Sequence, residues 1–389
     1  MRDICPLAGV CGGCLYQGVP YQKQLEEKEQ FVRSCLTEAG LDPELVSGIE
    51  ACPEIYDYRN KMEYSFGDEV KDGPLQLGLH KKGAFFSIIT TDCCQIVPED
   101  YNRIVRLTLE FCREKGYTHY HKKTHRGLLR SLILRRGVRT KQLLVNIVTS
   151  SDGEFDGMEY AHLITAHAAE FDNEVCGIMQ TINDTVSDAL RVDEVRLLYG
   201  EPYYFEQVLG LQFKVGAFSF FQTNVPAAER LYSDALALIP GIEGKNVYDL
   251  YCGTGTITQA MALKANTAVG VEIVEEAVEA AKINAGINGL TNCYFIAGDV
   301  GKVLSTIPVK PDVIVVDPPR SGITPKALKQ ILEYGVEQIL YISCNPKTLA
   351  ENLRGARLYG YDIGPVRAYD NFPFTKHVET VVLMSKANT

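Results

Sequence analysis

From Gly216 onward, short apolar runs alternate with amphipathic stretches, and this rhythm limits what the chain can fold into more than any other feature. Runs at 246–250, 268–272, 293–297, 313–317 and 339–343 have the length and apolar character of buried strands, and 363–369 and 378–384 follow them. Helical patterns fall between most of them, at 275–284, 325–333 and 348–353, with 226–238 leading into the first. Alternation of this kind specifies an α/β domain with a doubly wound, mostly parallel sheet, here of seven strands. Ligands and chemistry collect at the carboxyl ends of such strands, so the residues there are the candidates for function.

The first strand ends in Asp-Leu-Tyr-Cys-Gly-Thr-Gly at 249–255, where Gly253 and Gly255 let backbone approach a ligand. Glu272 ends the second strand, where a carboxylate can accept both hydroxyls of a ribose. Asp299 follows the third and is able to accept from an adenine amino group, and Asp317-Pro318-Pro319-Arg320 ends the fourth. Any one of these acids alone reads as a surface-loop carboxylate. Four consecutive strand ends furnished this way point to a bound adenosine cofactor. Thr258 occupies the third glycine position of the dinucleotide fingerprint, which counts against NAD and favours S-adenosylmethionine (SAM). The fifth strand ends in Ser343-Cys344-Asn345-Pro346; Pro346 stops it and a helix begins. A free cysteine is usually a small buried hydrophobe. Cys344, however, sits at the ligand-binding rim beside a helix N-terminus, which favours a thiolate nucleophile. Glu379, with His377 and the 370–373 segment nearby, starts the last strand close to the same rim and is the candidate base. Phe372 and Tyr369 are either stacking groups for a substrate ring or core.

The upstream half reads differently. A helix spans 21–36, connecting chain 40–53, and strands with Gly/Asp turns run from 58 to about 148, interrupted by a helix at 98–114. A further helix at 160–170, a strand at 177–183 and a hairpin with linker at 199–215 complete it. The expected division is a cysteine-bearing segment with its helix (1–57), a central α+β domain (58–210) and the α/β domain (211–389). Cys5, Cys11 and Cys14 fall within ten residues, Gly12 and Gly13 allow tight wrapping, and Cys93 or Cys94 is the source of a fourth thiol. Such a set suits zinc, an iron–sulfur cluster or a redox pair; Cys35, Cys52 and Cys112 read as structural. Twelve cysteines behind a start without an export signal imply a reducing, cytoplasmic setting, and no apolar run has the length of a membrane span. Nothing calls for an obligate oligomer, so a monomer is expected. Net charge is −10, which argues against a nonspecific polyanion binder. Yet 116–151 contains no Asp or Glu and holds Lys122, Lys123, Arg126, Arg130, Arg135, Arg136, Arg139 and Lys141 among His119, His121 and His125, a stripe suited to a phosphate backbone.

Taken together, Ser-Phe-Phe-Gln-Thr-Asn at 219–224, the 249–255 segment, Asp317-Pro318-Pro319-Arg320, Ser343-Cys344-Asn345-Pro346 and His377-Val378-Glu379 resemble, in order, the signatures of the RNA uracil-C5 methyltransferases. The cysteine set resembles that of the 23S rRNA branch. The resemblance implies a Rossmann-like class I SAM-dependent methyltransferase domain preceded by a smaller α+β cluster and RNA-binding domain. It implies SAM contacts from Gln222, Tyr251, Glu272, Asp299 and Asp317, Cys344 as nucleophile and Glu379 as base. It also implies a [4Fe–4S] cluster on Cys5, Cys11, Cys14 and one of Cys93 and Cys94. Ile96-Val97 stand at the family's offset from Cys94, which selects that residue. Thr256 replaces the Asn of some relatives. The implied substrate is 23S rRNA. The competing readings are a tRNA uracil-C5 methyltransferase, whose branch generally lacks the cysteine set, and a non-catalytic metal-cluster protein that binds RNA or senses redox state.

Overall fold

A computed structural model describes residues 2–186 and 192–387. The chain forms two compact units. One comprises Met1–Gly18, Glu54–Gln207 and Lys214–Phe218; the other comprises Val19–Pro53, Val208–Phe213 and Ser219–Thr389.

The second unit is built on a nine-stranded sheet. Its order is Val46–Glu50, Val366–Tyr369, Glu379–Lys386, Gln338–Ser343, Val313–Val316, Asn246–Leu250, Thr267–Glu272 and Cys293–Ala297, with Tyr361–Ile363 also paired to Glu379–Lys386. Pairing is parallel except along Glu379–Lys386, which is antiparallel to all three of its neighbours. Alternate residues of the central strands enter opposite layers. Tyr248, Leu250, Ile314, Val316 and Tyr341 pack with Val32 and Leu36 of the helix Tyr21–Glu38 and with Leu349 and Leu353 of the helix Pro346–Leu358. Val247, Val313, Val315, Leu340 and Ile342 pack on the other side with Leu231 and Ala235 of the helix Val225–Ala237. Burial on both faces is why these strands read as unbroken apolar runs.

Four expectations need correction. The sheet has nine strands among the described residues, not seven. The run at 363–369 is broken at Gly364-Pro365, where Pro365 has no N–H to give a ladder. The supposed connecting chain at 40–53 contributes the edge strand Val46–Glu50, held in parallel to Val366–Tyr369 across a register shift between Val46 and Gly48. The helix Tyr21–Glu38, grouped above with the cysteine segment, belongs instead to the second unit, because its apolar face supplies that unit's core.

The first unit carries a seven-stranded sheet in the order Ala84–Thr90, Leu75–Lys81, Lys61–Asp68, Leu129–Arg136, Gln142–Thr149, Glu174–Ile182, Glu194–Gly200. Among the described residues its one parallel strand pair, Gln142–Thr149 with Glu174–Ile182, is bridged by the helix Gly157–Ala166, and Glu99–Glu114 packs beside that helix. Part of the basic stripe is interior. Arg135 is 1% exposed, is bonded to the Gly216 carbonyl, and has its pKa lowered by burial. Arg136, also buried, reaches the Asp57 carbonyl. These two satisfy backbone acceptors and cannot meet a phosphate. Among the described residues, no helix is long and apolar enough to cross a membrane.

Candidate active site

Three strand termini of the second unit meet at one rim. Val316 pairs with Tyr341, so Asp317 leaves the sheet beside the end of Gln338–Ser343. Ser343 is opposite Thr380, whose hydroxyl donates to the Ser343 carbonyl at 3.0 Å. Antiparallel register carried one step further sets Cys344 against Glu379. Asn345 then caps the helix Pro346–Leu358 by accepting from the Lys347 N–H at 3.2 Å. Cys344, Asp317 and Glu379 are all half-buried, so they are shielded yet reachable.

The electrostatics follow from crowding these acids together. Burial lifts the Glu379 carboxyl to about 7, and Arg320 pulls it back down. Burial, then the charges of Glu379 and Asp249, push Asp317 well above the usual carboxylate range. The Cys344 thiol is raised to about 11, first by burial and then by Glu379 and Asp317, with Arg320 opposing. The helix terminus was expected to favour a thiolate here. It is outweighed by burial and then by the two carboxylates that bear on Cys344. Arg320, the last residue of the Asp317-Pro318-Pro319-Arg320 segment, carries a charge that favours both the thiolate and the Glu379 carboxylate. A lone cation following an acid at a strand end was the signal.

Beside this rim lies the turn after Asn246–Leu250. Tyr251 holds a left-handed backbone, φ +72°, a conformation costing a non-glycine residue roughly 1–3 kcal/mol. The two glycines differ in purpose. Gly253, φ +53°, has open space where a Cβ would point, whereas a Cβ on Gly255 would strike the Phe295 ring at 2.6 Å. Gly253 therefore leaves room for a ligand and Gly255 serves helix–sheet packing. Asp249 is fully buried; burial raises it to about 7, and one oxygen accepts from the Thr258 hydroxyl at 2.6 Å while the other has no hydrogen-bond partner. Glu272 accepts from the N–H groups of Gly253, Ile273 and Val274 at 2.8–3.1 Å, which fixes it at the mouth of the turn. Asp299 is exposed, and its charge adds to burial in raising the Tyr251 phenol to about 12. The Gln222 amide donates to the Tyr232 hydroxyl at 2.7 Å. Tyr369 is core, 3% exposed, with its hydroxyl on Asp234, whereas Phe372 stays half-buried.

The loop leading to Glu379 is pinned from within. Lys28, 1% exposed, pairs with Asp370 at 2.5 Å and donates to the Phe372 carbonyl at 3.1 Å. Gln24 accepts from the Phe374 N–H at 2.9 Å, and Asn224 donates to the Asn371 carbonyl at 2.8 Å.

The N-terminal cysteines lie in the first unit. Cys14 is raised to about 11 by burial and then by Cys11 and Cys5. Cys94 is raised to about 12 by burial, with Cys14, Cys11 and Cys5 adding to it. Cys93 feels burial first and then Cys5. Asn102 brackets Cys94 by bonding both its N–H and its carbonyl. These thiols are near enough to repel one another's ionised forms, a donor set that suits a soft cation. Even so, among the described residues no three His, Cys, Asp or Glu side chains stand in metal-ligating geometry.

Residues 303–387 match the family model described as tRNA (Uracil-5-)-methyltransferase, and 212–338 match that of the methyltransferase small domain. An uncharacterized RNA methyltransferase of Clostridium acetobutylicum is 46% identical over 98% of this chain and 83% of its own length. Another from Clostridium tetani is 46% identical over 99% and 84%. Among solved structures, the tRNA (uracil-54, C5)-methyltransferase of Pyrococcus abyssi, in complex with S-adenosyl-L-homocysteine, superposes with a TM-score of 0.78 at 28% identity, covering 97% of this chain and 86% of that one.

Proposed function

Because this chain belongs to the family of RNA uracil-C5 methyltransferases, we propose that it methylates C5 of a uridine in RNA through a transient covalent bond between Cys344 and C6 of the ring. The observation that carries this reading is the convergence of Cys344, Glu379 and Asp317 at one half-buried rim. C5 of uracil is a poor nucleophile. The Cys344 thiol first gives its proton to solvent, a loss that the Arg320 charge favours; addition of the thiolate to C6 then forms the S–C6 bond and moves the C5–C6 π pair into an enolate, which makes C5 nucleophilic. SAM, when bound, supplies an electrophilic methyl group on a positively charged sulfur. Once C5 carries the methyl and a proton, the Glu379 carboxylate removes that proton. The C–H pair restores the C5–C6 double bond and the Cys344 thiolate leaves. General-base help of this kind is worth roughly 10²–10⁴-fold.

Gln222, Tyr251, Glu272, Asp299 and Asp317 are the residues we assign to SAM. The open side of Gly253 and the concentration of carboxylates at the rim support the assignment, since both suit a cationic ligand. The target base must leave its stack to reach Cys344, so an unpaired or flipped uridine is the form acted on.

We assign Cys5, Cys11, Cys14 and Cys94 to a [4Fe–4S] cluster of structural purpose, the donor set being four soft thiols whose charges bear on one another. That set is the reason for placing 23S rRNA first as substrate, in a monomeric, cytoplasmic enzyme. A tRNA substrate is the second reading, favoured by the family model that matches 303–387 and by the activity named for the Pyrococcus abyssi structure. The test of the reaction is transfer of labelled methyl from SAM to uridine: Cys344→Ala is expected to abolish it, and undiminished transfer would end the mechanism. Mapping 5-methyluridine in rRNA and tRNA from a deletion strain separates the two substrates.

A further inference from the structure

Phe85 and Phe86 are 63% and 68% exposed, two adjacent aromatic rings in water. They stand on Ala84–Thr90, one of the two edge strands of the first unit's sheet, where an exposed apolar stretch is a liability unless it is used. The rings meet edge to face, with centroids 5.3 Å apart. His80 stacks on Phe85 at 5.4 Å. The Lys122 ammonium lies 5.3 Å from the Phe85 centroid and that of Lys123 5.5 Å from Phe86. Both lysines come from 116–151, the segment without a carboxylate. Register breaks between His80 and Lys81, which re-aims the side chains that follow. The same turn is tied to the cysteine segment: Gly12 N–H donates to the His80 carbonyl at 3.0 Å and Lys82 N–H to the Val10 carbonyl at 2.7 Å.

We propose that Phe85 and Phe86, flanked by Lys122 and Lys123, form a stacking platform for unpaired bases of the RNA substrate. Every base has a π-face that an aromatic ring can take, and an ammonium beside each ring answers the phosphate that accompanies the base. A duplex hides its base faces, so the platform selects single-stranded segments. That is the form a uracil-C5 methyltransferase needs near its target, and the proposal rests on that reading of the substrate. The cysteine segment then acts on RNA indirectly, as the brace of the turn that carries the platform.

The chain has no tryptophan, so Phe86→Trp places a single indole fluorophore on the platform of the full-length protein. A short uridine-containing single-stranded RNA is expected to quench it saturably; an indole that does not respond would overturn the proposal. By fluorescence anisotropy with the same RNA, the Phe85→Ala/Phe86→Ala protein should bind roughly ten- to a hundredfold more weakly, while its binding of the RNA annealed to its complement should change less than about twofold. Lys123→Gln should weaken both and lower the salt slope by about one. Equal losses on single strand and duplex, or unchanged single-strand affinity, would contradict the platform. So would a parent protein that dimerises in light scattering while the double variant does not, since the face would then be an interface between copies. These readouts need no turnover. A failed platform therefore leaves the Cys344 reaction standing, and a failed reaction leaves the binding result intact.

Discussion

The protein groups thiols with other ionisable side chains in two places, and the charges around them have different origins. In the first unit, Cys14 and Cys94 are held protonated by burial and then by other thiols. In the second, Cys344 is held protonated by burial and then by carboxylates, with Arg320 as a counterweight. A set of soft donors repelling one another is completed by a metal centre. A thiol set against acids is completed by something positive that arrives and leaves, which is the charge of a sulfonium. On the reading proposed above, one site is structural and permanent and the other reactive and transient, although each thiol taken singly looks alike.

Among variants that keep the Cys344 thiol, removing the proposed base should affect turnover most. Glu379→Gln is expected to lower kcat for methyl transfer by roughly 10²–10⁴-fold while single-stranded RNA affinity holds. In the parent, activity should rise with pH through about 7 as the Glu379 carboxyl ionises, and this limb should be missing from the variant's pH profile. A limb that persists would assign the proton to another group.

The ion pair that pins the loop leading to Glu379 gives the next effect. Lys28→Ala leaves Asp370 buried without its counter-charge, and stability should fall by about 3–5 kcal/mol in denaturant titration. Lys28→Met, which fills the space without the charge, should do no better. A neutral result would mean that the loop is not held by charge.

At the other thiol site, Cys11→Ala or Cys14→Ala should give a colourless protein where anaerobically purified parent is brown, with a lower melting temperature, because metal binding is coupled to the folding of such segments. Cys344→Ala should stay brown. A colourless parent containing zinc would replace the cluster and leave the comparison of the two sites intact.

The smallest effect is one of linkage. The Glu379 carboxyl is raised in the folded state, so the folded protein holds its proton longer than the unfolded chain. Stability contributed by that protonated form is present below the ordinary carboxylate pKa and lost as pH rises to about 7. Glu379→Gln should thus gain in melting temperature relative to the parent as pH rises over that interval, and no further above it.

The sequence discloses the two thiol sites unequally from the fold that holds them. Strands such as Val313–Val316 and Gln338–Ser343 are legible because both faces are buried and the runs are wholly apolar. Val46–Glu50 is not, since Val46 and Ile49 are its only large apolar residues and Gly48 breaks its register; the neighbouring strand makes it a strand. Cys344 and the N-terminal cysteines announce themselves by spacing. The rise in the Cys344 pKa does not, because it depends on Glu379 arriving from an antiparallel strand. Lys28 and Asp370 lie 342 residues apart, and nothing local marks either as buried. Arg135 and Arg136 mislead in the opposite sense, since a basic run looks external until a sheet closes over it.

The most direct test is covalent trapping. RNA carrying 5-fluorouridine at the target position, incubated with the protein and SAM, offers no proton at C5 for Glu379 to remove, so the ring should remain attached to the enzyme. Mass spectrometry is expected to find one RNA-linked peptide, containing Cys344, and none from Cys344→Ala. An adduct on another residue, or methylation of ordinary RNA with no trapped species, would contradict the account.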